Sequence, residues 1–245
     1  MNEVMQLMQN HSSVRSYNNS PVESDLLQSI IRSGQSASSS SFIQAYSIIR
    51  VCDKHNRQNI AEAAGNQRWV VDAAEFMVIC ADMLRIQTCS QKSGKGDLKG
   101  YAEHFITATV DAALLAQNMM LAAESAGLGG VFIGGIRNQP EVVTQCLELP
   151  EHVYPVFGMC LGWPADKQAV KPRLPVDAVL HQDRYQAASV AIKVDEYDLL
   201  MADYYSARQS NVKNTNWSLQ TAAAVQEKKR EHMLAFLQSQ GFIKR

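Results

Sequence analysis

The feature that most constrains the fold is a long stretch, Phe105 to Ala126, that is apolar on nearly every side of a helix and rich in Ala and Met. Gly127 follows it, in the position where a left-handed residue commonly ends a helix. A helix that lacks a polar face is expected to be buried on every side. The sequence therefore predicts a long helix at the centre of the domain or at a subunit interface.

The other elements alternate without a regular strand–helix–strand rhythm. Short apolar or β-rich runs predict four strands, at Ala45–Val51, Phe76–Ala81, Gly130–Ile133 and Val153–Leu161. In the C-terminal part, helices are predicted at Asp195–Ala207 and from about Leu219 to Ser239. This mixture favours an α+β fold over a doubly wound parallel sheet.

Composition and charge argue against several classes of protein. The formal net charge of −1 gives no overall attraction to nucleic acid or to an anionic membrane. The first residues lack the cationic and apolar regions of a secretory signal, and Val110–Ala123 is too short and too polar to span a bilayer. The five cysteines form no C-x-x-C pair, and no Cys or His pair has zinc-ligand spacing. We therefore expect a cytoplasmic protein with reduced thiols, no bound metal, and no nucleic-acid or membrane partner.

Two segments in the first half of the chain carry polar or glycine-rich patterns. The run from His11 to Arg15 is cationic, although alone it is more typical of a helix end followed by a solvated arginine. The run Gly129–Gly135 resembles a dinucleotide fingerprint, but Phe132 stands where the third glycine is required, and the run follows a helix, which excludes a Rossmann site. The pair Gly134–Gly135 is equally typical of a tight turn and of a backbone that a flat ligand approaches closely.

Two cationic clusters lie in the C-terminal part. Lys171 and Arg173 flank a proline and could clamp a phosphate, although a charged loop is the default interpretation. Residues 228–230, with Arg208 upstream, are most simply the solvated face of a terminal helix. Taken together with the serine run Ser38–Ser41 and the glycine pair, these clusters supply what flavin mononucleotide (FMN) needs. Cations hold its phosphate and meet its pyrimidine edge, and a backbone amide faces N5.

Short segments spread over nearly the whole chain match one family in their order and in their amino-acid sequence. They are His11-x-Ser13-x-Arg15, Ala37–Ser41, Gly65–Gln67, Ala122–Ser125, Gly127–Gly130, Ile133–Asn138, Cys160–Pro164 and Lys171–Pro175. The chain thus resembles the NADPH-preferring branch of the nitroreductase superfamily, which includes the oxygen-insensitive major nitroreductases and the P-type flavin reductases. The resemblance implies a nitroreductase-type α+β fold, with a central mixed, mostly antiparallel sheet flanked by helices. It also implies an intertwined homodimer, and a single domain over residues 1–245 with a C-terminal arm at about 186–245.

The resemblance also implies which residues bind FMN. It assigns the phosphate and the ribityl chain to four residues, His11, Ser13, Lys171 and Arg173. It places Arg15 and Gln67 at the pyrimidine edge. The residues along the ring are Phe132, Ile133, Gly134 and Gly135, with the Gly134 amide near N5. Ser39 approaches the flavin from the partner subunit.

The implied activity is that of an enzyme that transfers two electrons by a ping-pong cycle from NADPH to nitroaromatics, quinones or free flavin. Arg208 and Arg230 occupy the places of the family's NADPH-binding arginines, and Arg137 would line the substrate mouth. No side chain is required as a catalytic base or nucleophile, because the flavin does the chemistry. Two alternatives stay open: another flavin reaction on the same fold, such as reductive dehalogenation, and a flavin-binding or regulatory module without turnover.

Overall fold

The computed structural model describes residues 2–166, 169–208, 214–227 and 230–245. Its α-helices are α1 (Glu3–Gln9), α2 (Ser24–Gln35), α3 (Lys54–Ala63), α4 (Trp69–Asp72), α5 (Leu84–Lys92), α6 (Ala102–Ser125), α7 (Pro140–Cys146), α8 (Val176–Val179), α9 (Val190–Ser206), α10 (Trp217–Glu227) and α11 (Met233–Ser239). Its strands are β1 (Tyr46–Arg50), β2 (Glu75–Asp82), β3 (Gly129–Ile133) and β4 (Val153–Gly162). The chain forms two compact units, a main unit of Met1–Gln168 with Arg230–Arg245, and a C-terminal unit of Ala169–Lys229.

The strands of the main unit form a four-stranded sheet in the order β1-β2-β4-β3. Every pairing in it is antiparallel. The two central strands, β2 and β4, are almost entirely buried, as expected for strands covered on both faces. All four strands predicted from the sequence are present, with ends that differ by a few residues.

The pairing of β2 with β4 contains an irregularity that matters for the site. Ile79 pairs with Phe157 and Cys80 pairs with Pro155, so Val156 is an extra residue on β4. Proline cannot donate a ladder hydrogen bond and is tolerated inside a sheet mainly at such a bulge. A bulged residue is left out of the ladder, which leaves the Val156 carbonyl available to another donor.

The long helix α6 confirms the length predicted from the sequence but not its burial. One face packs on the sheet and on α2, and the residues of this face that are fully buried include Ala112, Leu115 and Met119. The opposite face leaves Ile106, Val110 and Leu114 about half exposed. The prediction that the helix is buried on every side is therefore wrong for a single chain, because only one face meets the core.

By length and composition alone, α6 is the one helix in the described residues that could also cross a membrane. Core helices of globular proteins pass the same test. This helix carries Asp111, whose buried carboxylate accepts hydrogen bonds from the backbone N–H groups of Ser40 and Ala45. A carboxylate that is satisfied by loop backbone indicates a helix that packs inside the protein.

The single final helix predicted from Leu219 to Ser239 is also wrong. The structure has α10 and α11 instead, and Arg230 between them adopts a left-handed φ of 41°. A residue in that conformation cannot continue a right-handed helix. Lys228 and Lys229, which belong to the predicted cationic run, lie outside the described residues.

Candidate functional site

A glycine turn directly after β3 forms the centre of the candidate site. Gly134 and Gly135 begin a short 3-10 turn, Gly134–Asn138, behind the buried Ile133. A Cβ on Gly135 would lie 2.2 Å from Gln67 Nε2 and 2.3 Å from the Ala64 carbonyl oxygen, so only glycine fits there. The turn is thus tightly packed against Gln67, which the sequence also predicted as a site residue.

A chain of contacts leads from this turn to Arg15. The Gln67 amide donates to the Ala64 carbonyl at 2.8 Å and accepts from the Trp69 indole N–H at 3.2 Å. The Arg15 guanidinium carbon lies 5.8 Å from the centroid of the Trp69 ring, within the range of a cation–π contact. Sequence reasoning missed Trp69, for which the only signal was an aromatic residue two positions after Gln67. Trp69 therefore links Arg15 to Gln67, and Gln67 in turn packs against Gly135.

The segment that contains His11 and Ser13 is fastened to the edge strand of the sheet. The Val14 N–H donates to the Gly130 carbonyl at 2.9 Å, which adds a pairing beside β3. His11 Nδ1 lies 2.6 Å from Oε1 of Glu124, in the last turn of α6. This hydrogen bond places Ser13, next to Val14, beside the strand that leads to the glycine turn, and His11 beside the end of α6. Glu124 was not among the predicted site residues, although it lies within a matched segment.

Two arginines meet beyond the glycine turn. Arg137 donates to the Val156 carbonyl, the group that the bulge in β4 leaves free. Arg230 donates through Nε and Nη2 to Asn138 Oδ1 at 3.0 and 2.9 Å, and His232 Nε2 lies 3.0 Å from the Arg137 carbonyl oxygen. Burial lowers the pKa of Arg137, and the charge of Arg230 lowers it further. The two guanidinium groups therefore interact electrostatically, each disfavouring the charged form of the other.

Ser39 belongs to a different part of the main unit, in the loop beside α6. Its hydroxyl oxygen is buried and has no hydrogen-bond partner among the described residues. Ser41, Phe42 and Gln44, just after it, all adopt positive φ angles. Such backbone strain persists only where the surroundings hold it, and it is common at binding sites. Here Asp111 provides the hold, through its hydrogen bonds to the loop backbone.

The C-terminal unit presents two cations over tyrosine rings. Lys171 Nζ lies 5.1 Å from the centroid of Tyr205, and the Arg208 guanidinium carbon lies 5.9 Å from the centroid of Tyr204. The Tyr197 hydroxyl donates to the carbonyl of Pro172 at 2.8 Å, which fixes the backbone between Lys171 and Arg173. The side chains of Lys171 and Arg173 are exposed, so their charges remain available to an anion.

Comparison with known families agrees with this architecture. The family described as "Nitroreductase family" matches residues 8–163, and "Nitroreductase family, C-terminal domain" matches residues 171–245. The two matches together cover most of the chain. They meet near the boundary between the two compact units.

Characterised relatives align over the whole chain. The sequence is 42% identical to the oxygen-insensitive NADPH nitroreductase of Salmonella typhimurium and 41% identical to the NADPH-flavin oxidoreductase of Vibrio harveyi, with all of each chain covered. It is 38% identical to the FMN reductase (NADPH) of Bacillus subtilis, again over all of both chains.

Solved structures show the same fold. The NADPH:FMN oxidoreductase of V. harveyi superposes with a TM-score of 0.90 at 39% identity, and NfrA1 of B. megaterium with a TM-score of 0.95 at 40% identity. The alignments cover 99–100% of this chain and all of each neighbour. These matches confirm the predicted nitroreductase-type α+β fold, and the chain belongs to the nitroreductase family.

Proposed function

We propose that this chain is an FMN-dependent oxidoreductase that uses NADPH to reduce nitroaromatics, quinones or free flavin. The observation that carries the proposal is the contact chain Arg15–Trp69–Gln67–Gly135, which joins a cation, an amide and a closely packed glycine turn. Bound FMN would supply two-electron transfer between NADPH and the acceptor in a ping-pong cycle. Relatives named NADPH nitroreductase, NADPH-flavin oxidoreductase and FMN reductase support the same conclusion.

The residues of the glycine turn fit a flat ring. Gly134 has no side chain, and a Cβ there would lie 3.2 Å from Arg137 Nη2, so the space beside its backbone is already narrow. We assign the Gly134 N–H to flavin N5, and we assign Phe132, Ile133 and Gly135 to the side of the ring. The half-buried Phe132 supplies apolar cover, which excludes water from the reacting atoms, while the fully buried Ile133 packs in the core just before the turn.

Arg15 and Gln67 are assigned to the pyrimidine edge. Negative charge develops there when the ring takes up two electrons, and a fixed cation stabilises it. The contacts of Trp69 with both Arg15 and Gln67 hold these two side chains in place before any ligand arrives. Pre-organised donors act without the cost of reorganisation.

Phosphate recognition is assigned to residues of both units: His11, Ser13, Lys171 and Arg173. The exposed Lys171 and Arg173 provide charge, and the planar fork of the arginine suits phosphate oxygens. Their backbone is fixed by the Tyr197 hydrogen bond to Pro172. These observations concern the residues of each compact unit by itself.

The nicotinamide nucleotide is assigned to Arg137, Arg208 and Arg230. Arg137 and Arg230 lie close enough for one charge to lower the pKa of the other, which favours an anionic group beside them. Asn138 orients the guanidinium of Arg230 with two hydrogen bonds. An arginine aimed at the 2′-phosphate is the physical basis for preferring NADPH over NADH.

A homodimer completes the proposal, with Ser39 of one subunit reaching the flavin of the other. The exposed stripe of Ile106, Val110 and Leu114 on α6 supplies an apolar surface of the kind that dimer interfaces bury. Val110→Asp is expected to shift the protein from dimer to monomer in analytical ultracentrifugation. Val71→Asp, at an exposed valine on α4, serves as the control.

The direct test of function is the absorbance spectrum of purified protein with FMN, followed by addition of NADPH without oxygen. We expect a bound flavin band that bleaches with NADPH and returns when menadione is added. Steady-state NADPH oxidation should depend on menadione. Protein that is colourless and gains no flavin band from added FMN would refute the proposal, and bleaching without menadione-dependent turnover would favour a binding module.

A further inference from the structure

Glu124 is a carboxylate in an electrostatically unfavourable place. It lies in the last turn of α6, where the partial negative charge of the helix end disfavours another negative charge. Its side chain is only 11% exposed. Its Oε2 atom is buried and has no hydrogen-bond partner among the described residues. A buried carboxylate at this position destabilises the helix, which indicates that Glu124 has another role.

The other carboxylate oxygen of Glu124, Oε1, contacts His11, and this contact indicates the role. Glu124 Oε1 lies 2.6 Å from Nδ1 of His11, a residue 113 positions earlier in the sequence. An ionised carboxylate only accepts hydrogen bonds, so the Nδ1 atom of His11 carries the hydrogen of this contact. The ring of His11 is thereby fixed in one orientation, and Nε2 is the nitrogen left to meet a ligand. In the imidazolium form Nε2 also carries a hydrogen, which it can donate to an anion.

We propose that Glu124 is a positioning residue for His11, and that it aims His11 Nε2 at the phosphate of the bound flavin. This inference deepens the proposed function and rests on it. A carboxylate that orients a ligand-binding histidine through its second ring nitrogen is a general device, well known around metal ions. Glu124 acts through His11 and makes no contact of its own with the flavin.

The test compares Glu124→Ala, Glu124→Gln and His11→Ala with the double variant His11→Ala/Glu124→Ala. Dissociation constants are measured by fluorescence for FMN and for riboflavin, which lacks the phosphate. We expect Glu124→Ala to weaken FMN binding by about tenfold, the effect usual for loss of a partner that orients a histidine. Glu124→Gln, whose amide oxygen still accepts from Nδ1, should retain most of the affinity. Riboflavin binding should be unchanged in both variants.

The double variant separates a positioning role from a structural one. If Glu124 acts through His11, its removal has no further effect once His11 is absent, because the two changes are not additive. Glu103→Ala, which removes an exposed carboxylate from the first turn of the same helix, serves as the control and should leave both constants unchanged.

Several outcomes would overturn the inference. An equal loss of FMN and riboflavin would show that Glu124 only supports the general structure of the site. A tenfold loss that persists in the His11→Ala background would show that Glu124 does not act through His11. Wild-type protein that binds no FMN would instead refute the proposed function, so the two failures are distinguishable.

Discussion

The two compact units fix their candidate binding residues in different ways. In the main unit, Gln67 and Gly135 are fixed by close packing and by side-chain hydrogen bonds, one of which comes from the half-buried Trp69, whereas the exposed Arg15 lies over the Trp69 ring. In the C-terminal unit, Lys171 and Arg208 lie over tyrosine rings, and the buried core of the described residues is a small cluster around α9. The comparison contrasts candidate residues of the main unit that are locked by packing, Gln67 and Gly135, with exposed cations of the C-terminal unit, Lys171 and Arg173.

The largest effect is expected where position is set by packing. Gly135→Ala places a methyl group against Gln67 and the Ala64 carbonyl, and overpacking of this kind lowers the free energy of unfolding by about 2 kcal/mol. The variant should also lose FMN, since the turn must move. Thermal denaturation and flavin absorbance are the measurements.

Gly134→Ala is the matched control for that prediction. Its new methyl group would lie 3.2 Å from Arg137 Nη2, a much smaller overlap than the 2.2 and 2.3 Å at Gly135, so the melting temperature should change much less. Equal losses of stability in the two variants would contradict the idea that Gly135 alone is locked by packing.

The next largest effect is expected for FMN affinity when the charge of an exposed arginine, Arg173, is removed. Arg173→Ala should weaken FMN binding by about tenfold, the value of one hydrogen bond to a charged group, and should leave riboflavin binding unchanged. Because the Arg173 side chain is exposed, the melting temperature of the flavin-free protein should stay the same. A fall in that melting temperature would show that Arg173 has a structural role and would remove the distinction between the units.

A smaller effect, on the KM for NADPH, is expected at Arg230, which we assign to nucleotide binding. Arg230→Ala should raise the KM for NADPH by about fivefold, as for one exposed ion pair, with little change in the KM for NADH. Steady-state kinetics with both nucleotides measure the difference. Equal changes for NADPH and NADH would refute a role at the 2′-phosphate, and Arg245→Ala offers a control at an exposed arginine.

The smallest effect tests how the C-terminal unit fixes its cations. Tyr197→Phe removes the hydrogen bond to the Pro172 carbonyl, which is worth about 1 kcal/mol. FMN affinity should fall only slightly, because the charges of Lys171 and Arg173 remain. A loss as large as that of Arg173→Ala would mean that position matters in this unit as much as charge does.

Local patterns were sufficient to predict the four strands and the long helix, but not α3, α5 or α8. The apolar run before Gly127 predicted a helix at Phe105–Ala126, and α6 spans Ala102–Ser125. The final helix was the clear failure. Its apolar and charged residues are typical of a helix throughout, but Arg230 leaves the helical region and donates to Asn138 instead. A tertiary contact outweighed local propensity there.

The residues that hold the site in place were harder to predict than the site residues themselves. Several predicted site residues are each contacted by a side chain that was not predicted as a site residue: Trp69, Glu124 or Asn138. Glu124 contacts His11 across 113 positions of sequence, and Asn138 contacts Arg230 across 92 positions. No periodicity or motif relates residues so far apart. For Glu124, the pairing arises in the folded chain, where the Val14 hydrogen bond to Gly130 holds the His11 segment beside β3, just after the end of α6.

The order of amino acids was thus enough to establish the family, the α+β class, the glycine turn and the cationic residues, because each of these is written in neighbouring positions. Folding in three dimensions settled which face of α6 is exposed, which carbonyl the bulge at Val156 frees, and which side chains orient the arginines and His11. The physical reason is that burial and hydrogen bonding depend on what lies nearby in space, and distant segments become neighbours only once the core has packed.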